Sequence, residues 1–296
     1  VGVPEYRLPA DLIQREVDDI LDLGVELKLN TRIEDLQQLI DEGYDAVFLA
    51  VGAHEGMRMD IPGAELEGTM ISIAFLRDVR LGRQVKLGKK VSVIGGGDVA
   101  IDAARTALRI GAEEVTVVYR RSESEMPCRR EEVHGAREEG IRFELLTNPV
   151  RILSDEHGRM TGMECIRMEL GEPDESGRRR PVPIPGTEHV IPTDNVIFSI
   201  GQAAGLSFIP EDSQVGVTSW GTIVVDPVTL ACDRPGVFAG GDAVSGTAFV
   251  IEAIAHGHQV AASIHHYLSG ETLPPLKPEL PVVEMGTEAA ATRMHE

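Results

Sequence analysis

The residues best placed to do chemistry in this chain are Gly95, Gly96 and Gly97, because of what flanks them. Before them, Val91-Ser92-Val93-Ile94 is apolar enough for a strand buried on both faces; after them, Asp98 to Leu108 reads as a helix closed by Gly111. A strand that turns sharply into a helix leaves unpaired N–H groups at the positive end of the helix dipole, so this corner is built to hold an anion. The spacing Gly95-x-Gly97-x-x-Ala100 narrows that anion to the pyrophosphate of a dinucleotide. Gly95 permits the turn, Gly97 lets phosphate approach the backbone, and Ala100 lets the helix pack close to the strand. Gly96, Asp98 and Val99 complete the corner.

Glu114 to Tyr119 is a second, β-branched strand at the right distance for a βαβ unit. It ends in Arg120-Arg121, where an NAD site carries an acid for the ribose 2′-hydroxyl. Guanidinium groups suit a 2′-phosphate instead, so NADP(H) is the expected cofactor, with a solvated strand end as the alternative. Arg129 and Arg130, beyond the polar loop 122–128, either supplement the phosphate site or open an ion-paired helix. Arg178-Arg179-Arg180, inside the Pro/Gly/Arg-rich stretch 172–186, reads as a solvated hairpin tip rather than a ligand site.

A second corner follows the strand-like run Gly236-Val237-Phe238-Ala239-Gly240-Gly241-Asp242. A helix begins a few residues later, with Val250, Ile254, Ala261, Ile264 and Leu268 on one face. The Asp242 carboxylate can accept a ribityl or ribose hydroxyl, and N–H groups over Thr247 to Val250, Ala248 included, can face an electron-rich ring edge. An Asx turn capping the helix is the plainer alternative. Two further buried strands close on glycine turns, Ala46 to Gly52 and Asp194 to Gly201, and the second echoes the first.

The elements that position these corners need cores, and 296 residues with 42% hydrophobic content suffice for two domains. A net charge of -20 excludes nucleic acid or an anionic membrane as the main partner. It does not exclude an anionic cofactor, because screening over about 8 Å lets local arginines outweigh the global sign. Cys128, Cys165 and Cys232 form no C-x-x-C, so no dithiol of that spacing and no whole Fe–S ligand set is present. No apolar run approaches the ~20 residues of a membrane span, and the cysteine usage fits a reducing cytoplasm. His256 with His258, and His265 with His266, are spaced wrongly to share a metal on a helix. Val1 is not an initiator methionine, which suggests that the sequence starts partway into a longer protein.

In chain order, a proline-punctuated lead-in precedes a helix over Leu12 to Leu21, a strand over Val25 to Leu29 and a helical segment from Ile33 to Ile40. The turn signals at Ile61-Pro62-Gly63 and Gly68 mark a boundary, and the fingerprint domain is expected over 71–193, with strands at 141–145, 150–153 and 162–170. The strand at Asp194 to Gly201 then returns to the first domain, followed by another over Thr222 to Asp226. Residues 271–296 read as an extended tail.

The combination of Val93-Ile94-Gly95-Gly96-Gly97-Asp98-Val99-Ala100, Tyr119-Arg120-Arg121 with Met126-Pro127, and Phe238-Ala239-Gly240-Gly241-Asp242 resembles the glutamate synthase small-subunit family of flavoprotein oxidoreductases. Gly2 to Pro9 is similar to that family's flavin-proximal loop, and the likeness runs to about residue 270. The stretch from Arg167 to Ile184 resembles the NADPH-binding large subunit of electron-bifurcating ferredoxin:NADP transhydrogenases. The resemblance implies an α/β fold of two Rossmann-like three-layer domains of the pyridine nucleotide-disulfide oxidoreductase type. An NADP(H) domain over 71–193 would be inserted in an FAD domain formed by 1–70 and 194–270, which here lacks its first βαβ unit.

It further implies a cytoplasmic enzyme passing hydride between NADPH and FAD. The cofactor-binding positions would be Gly52, Gly95, Gly96, Gly97, Asp98, Val99, Ala100, Arg120, Arg121, Arg129, Gly201, Gly241, Asp242, Thr247, Ala248 and Val250. Electrons would leave to Fe–S clusters on a partner or absent segment, or to ferredoxin, within a hetero-oligomer. Two alternatives stand beside this: the electron-input subunit of glutamate synthase, and a non-catalytic module that binds NADP without passing electrons.

Overall fold

The computed structural model describes residues 2–174 and 177–271. The lead-in runs into α1 (Ala10–Leu21) and α2 (Leu36–Asp41), the latter capped by Asp35, whose side chain accepts the Gln37 N–H at 2.8 Å. Then come β1 (Val47–Leu49), β2 (Glu55–Gly56), β3 (Thr69–Ile71) and α3 (Ser72–Arg80). The glycine corner lies between β4 (Lys90–Ile94) and α4 (Asp98–Arg109), which leads to β5 (Glu114–Tyr119). A 3₁₀ turn at Glu123–Glu125 precedes α5 (Arg130–Glu138), β6 (Arg142–Leu145), β7 (Thr147–Ser154), β8 (Met160–Pro173), β9 (Arg179–Pro183) and β10 (His189–Ile191). The chain finishes with β11 (Asn195–Phe198), β12 (Gln202–Ala203), β13 (Val237–Ala239), α6 (Asp242–Ser245) and α7 (Val250–Ser269).

Five parallel strands in the order β3-β11-β4-β5-β6 form the central layer. Alternation along each strand feeds two cores, as a pleated sheet covered on both sides requires. Val91, Val93, Val115, Val117 and Ile197 meet α3, α4 and α5, where Ala100, Ala103, Ala104 and Ala107 let α4 lie close to the sheet. Ile94, Val118, Val196 and Phe198 meet an antiparallel layer of β7, β8 and β10 through Ile152, Met163 and Cys165. The outer half of β8 leaves that layer and pairs with β9, forming a hairpin. The remaining unit is smaller: β1 pairs in parallel with β13, and its core includes Leu36, Val47, Leu49, Val215, Ile223 and Val237.

Several expectations need correcting. The strand at Asn195–Phe198 does not return to the sheet of β1; it sits between β3 and β4, and β3 belongs to the same sheet. Both glycine-closed strands carry a continuous apolar run, Ala46 to Val51 and Val196 to Phe198, so pattern alone could not say which sheet each would join. Val25 to Leu29 is not a strand, and Thr222 to Asp226 makes only a single bridge, Ile223 with Val217, because neither run has a ladder partner among the described residues. The helix α7 forms as expected; on the face that carries Val250, Ile254, Ala261, Ile264 and Leu268, Ile264 packs against a core cluster while Val250, Ile254 and Leu268 are exposed, and Val260 is the buried residue. Likewise α1 is amphipathic yet buries nothing among the described residues. The expected tail, from residue 272 on, lies outside the described residues. No helix among the described residues is long and apolar enough to cross a membrane.

Candidate functional site

A cavity of about 700 Å³ opens where β4, β5 and β11 end. That is the crevice at the carboxyl ends of parallel strands where the strand order reverses, the usual ligand position in an open α/β sheet. Gly95, Gly96, Gly97, Asp98 and Val99 form one wall, Tyr119, Arg120 and Arg121 the second, and Ser199, Ile200 and Gly201 a third. Thr247, Ala248 and Phe249, just before α7, reach in from the smaller unit.

The glycines have different reasons to be there. Gly95 has φ +143, and a side chain on it would run into the Ser199 carbonyl, so the fold itself demands glycine. Gly97 is extended, φ -89 and ψ 173, a conformation open to any residue, and a Cβ there would meet only Pro127, at 3.9 Å. That Cβ would stand in the cavity at the head of α4. The space beside Gly97 is thus open, at the positive end of the twelve-residue α4. Ala100 is fully buried beneath, as close helix–sheet packing requires.

The arginines divide. Arg120 is exposed at the end of β5, in the cavity wall. Arg121 is buried: its Nη2 pairs with Asp174 Oδ2 at 2.6 Å and its Nε donates to the Arg179 carbonyl at 2.7 Å. Its guanidinium is therefore committed to the β8–β9 hairpin. Arg129 does not line this cavity; it lies beside Asp98 at 4.0 Å and Glu132 at 3.5 Å, the ion-paired helix start. Asp98 Oδ1 also accepts the Arg129 N–H at 3.3 Å. Arg178, read from sequence as a solvated hairpin tip, lines the cavity instead, because the long β8 carries the hairpin back over the end of β5. Tyr119, Asn148 and Ser199 also line it and were not among the expected site residues, their sequence signal being proximity to strand ends, while Phe249 belongs to the expected stretch from Thr247 to Val250.

At the second corner, Gly52, Gly241, Asp242 and Val250 stand outside the walls of this cavity, while Gly201, Thr247 and Ala248 are part of them. Burial pushes the Asp242 carboxyl up, partly offset by the Ala248 N–H that it accepts. The Gly241 N–H donates to His256 Nδ1 at 2.9 Å, which gives that histidine a structural partner. The arrangement can present a half-buried carboxylate and the start of the twenty-residue α7 to the same molecule.

The thiols take no part. Cys128, Cys165 and Cys232 are buried, and burial lifts them to about 11, about 12 and about 11. Thiolate is the reacting form, so native protein is expected to react with an aromatic disulfide reagent at about pH 8 far more slowly than denatured protein. Rapid stoichiometric labelling of one thiol in the native state would contradict this.

Comparison with known proteins agrees with this fold. The family described as pyridine nucleotide-disulphide oxidoreductase matches residues 11–257. The chain is 50% identical over 286 residues to NADP(+)-dependent formate dehydrogenase subunit beta of Moorella thermoacetica, covering 95% of this chain and 40% of that protein. It is 36% identical over 284 residues to the glutamate synthase [NADPH] small chain of Escherichia coli, covering 90% of this chain and 60% of that one. The chain thus spans only part of the length of these relatives. In structure it resembles Mycobacterium tuberculosis FprA in complex with NADPH, with a TM-score of 0.71 and 18% identity, over 92% of this chain and 77% of that one.

Proposed function

Since the chain belongs to the pyridine nucleotide-disulphide oxidoreductase family, we propose that it is the NADP(H)-handling part of a flavin-dependent oxidoreductase. The observation that carries this is the open space at Gly97, at the head of α4, in one cavity with Arg120. The diphosphate lies against the N–H groups of Gly97 to Val99, and the 2′-phosphate meets Arg120. The nucleotide unit runs from β3 through β11, a wider span than 71–193, and the smaller unit formed by the flanking segments takes the flavin. Asp242 and the segment Thr247–Ala248 fit the ring and ribityl end of FAD. The sequence carries a single G-x-G-x-x-A corner, so the adenylate end of FAD is held by residues outside this sequence.

Bound together, the two cofactors supply hydride exchange between nicotinamide and flavin. The protein's own residues need no acid–base step: they orient one ring against the other and keep water out. The named relatives, a beta subunit and a small chain, support work within a larger assembly, and the partner is an Fe–S or flavin electron-transfer polypeptide. Ferredoxin or a glutamate synthase large chain would each suit that role.

Amide hydrogen exchange tests the nucleotide site. NADP⁺ is expected to protect Gly95 to Ile101 and Tyr119 to Arg121, and protection confined to other segments would refute the assignment.

A further inference from the structure

Gly95 answers to the turn and Gly97 borders open space, whereas Gly96 answers to a neighbour: a Cβ on it would lie 2.6 Å from the Tyr119 ring. Tyr119 is buried at the end of β5, with its ring packed on Gly96 and its hydroxyl donating to the Glu125 carbonyl at 2.8 Å. Glu125 belongs to the loop 122–128, which returns to the corner three residues later. There the Cys128 N–H donates to the Gly96 carbonyl at 3.3 Å, and the next N–H, that of Arg129, donates to Asp98 Oδ1 at 3.3 Å. Met126 and Cys128 are buried in the core that α4 and α5 share with the sheet, while Pro127 between them stands in the cavity wall. The start of the loop is tied to α5, where Arg137 donates to both oxygens of Glu123 at 3.1 and 2.5 Å.

The bond from Cys128 has a stereochemical consequence. In a planar trans peptide the N–H points opposite to the C=O it is joined to, so fixing the Gly96 carbonyl on the loop turns the Gly97 N–H away from the loop. That N–H is one of the donors at the head of α4, where the diphosphate is proposed to lie. Resting on the NADP(H) reading above, we infer that Tyr119 is a positioning residue for the diphosphate. Its hydroxyl holds the loop 122–128 against the corner, and the loop sets the Gly96–Gly97 peptide before the ligand arrives. A donor already set costs the ligand less than one it must orient itself. The effect falls on the part of the molecule that NADP and NAD share, and is separate from the 2′-phosphate.

The test is Tyr119→Phe, which keeps the ring on Gly96 and removes only the hydrogen bond to Glu125. Equilibrium titration of the chain, purified with any polypeptide that co-elutes, is expected to show NADP⁺ and NAD⁺ weakened by the same factor, about three- to ten-fold, with the preference between them unchanged. Cys128 reports on the loop directly, because it is buried within it. Without nucleotide, an aromatic disulfide reagent should label Cys128 several-fold faster in the variant than in wild type, with Cys165 and Cys232 unchanged, and saturating NADP⁺ should slow that labelling in both proteins.

If Cys128 reacts faster while both affinities stay as in wild type, the loop does not set the peptide and the inference is overturned. Unchanged labelling of Cys128, or faster labelling of all three thiols together, overturns it as well. So does a loss of NADP⁺ affinity with NAD⁺ unchanged, since the hydroxyl would then act on the neighbouring Arg120 and not on the diphosphate. A wild-type preparation that binds neither nucleotide refutes the NADP(H) reading itself.

Discussion

Gly97→Ala is expected to keep the fold and lose the nucleotide. The added methyl meets only Pro127, at 3.9 Å, and the backbone there is extended, so the thermal midpoint should stay close to wild type. NADP⁺ affinity should fall by about ten- to a hundred-fold, the cost of pushing a diphosphate off the N–H groups at the head of α4. Gly95→Ala should behave in the opposite way. At φ +143, with the Ser199 carbonyl in the path of the new carbon, it strains the packing of β4 against β11 and should lower the thermal midpoint. Calorimetry and nucleotide titration of the two variants separate a glycine kept for the ligand from one kept for the chain. Equal loss of stability in both would show that Gly97 has no special relation to a ligand.

Arg7→Met is expected to be the most destabilising single change outside the core. Arg7 donates to Asp102 at 2.5 Å and to both oxygens of Glu132, at 2.7 and 2.5 Å, and Tyr6 donates to Asp102 at 2.9 Å. Arg105 and Arg109 lie over the Tyr6 ring, at 4.7 and 4.4 Å from its centre. The network ties the lead-in loop to the back of α4 and to α5. Removing Arg7 leaves Asp102, buried and already pushed up by that burial, without its cation. The cost should be about 2–3 kcal/mol, below the usual cost of breaking a buried pair because Arg105 still meets Glu132 at 3.0 Å.

The pH dependence has a definite sign. Hydrogen bonds from Arg7 hold the Glu132 carboxyl below its ordinary 4.5, so its contribution is present above pH 4.5 and is lost as pH falls below it. Asp102, raised by burial, works the other way: its contribution is present below its ordinary 3.8 and is lost as pH rises through the raised value. The stability gap between wild type and Arg7→Met should therefore narrow as Glu132 takes its proton, which denaturant titrations at stepped pH will show. A gap that widens on acidification would contradict the role given to Arg7.

The nucleotide corner was legible in the sequence because it is local. An apolar run, three glycines and a helix at 3.6-residue spacing define it without help from elsewhere, and Gly95 to Val99, Arg120, Gly201, Thr247 and Ala248 all reach one cavity. What failed was long-range. Arg178 reads as solvated in its own neighbourhood, and only a strand as long as β8, with Arg121 pulling on Asp174, brings it to the pocket. Arg121 was assigned to the phosphate because position in a βαβ unit does not reveal which way a guanidinium turns. Asn195–Phe198 was placed in the wrong sheet because a strand buried on both faces carries no label for its neighbours. Apolar residues at helical spacing do mark α1 and α7 as helices, but periodicity cannot say what covers a face.

The central claim is that hydride passes between NADPH and a flavin held beside Asp242. The most direct test is the visible spectrum of the chain, purified with whatever co-elutes, before and after anaerobic NADPH, with NADH as the control. The account predicts a flavin band that NADPH bleaches and NADH bleaches much less. A preparation that contains flavin and stays coloured under NADPH, or one that binds NADPH and carries no flavin with any co-eluting partner, would contradict it and favour a module that binds the nucleotide without passing electrons.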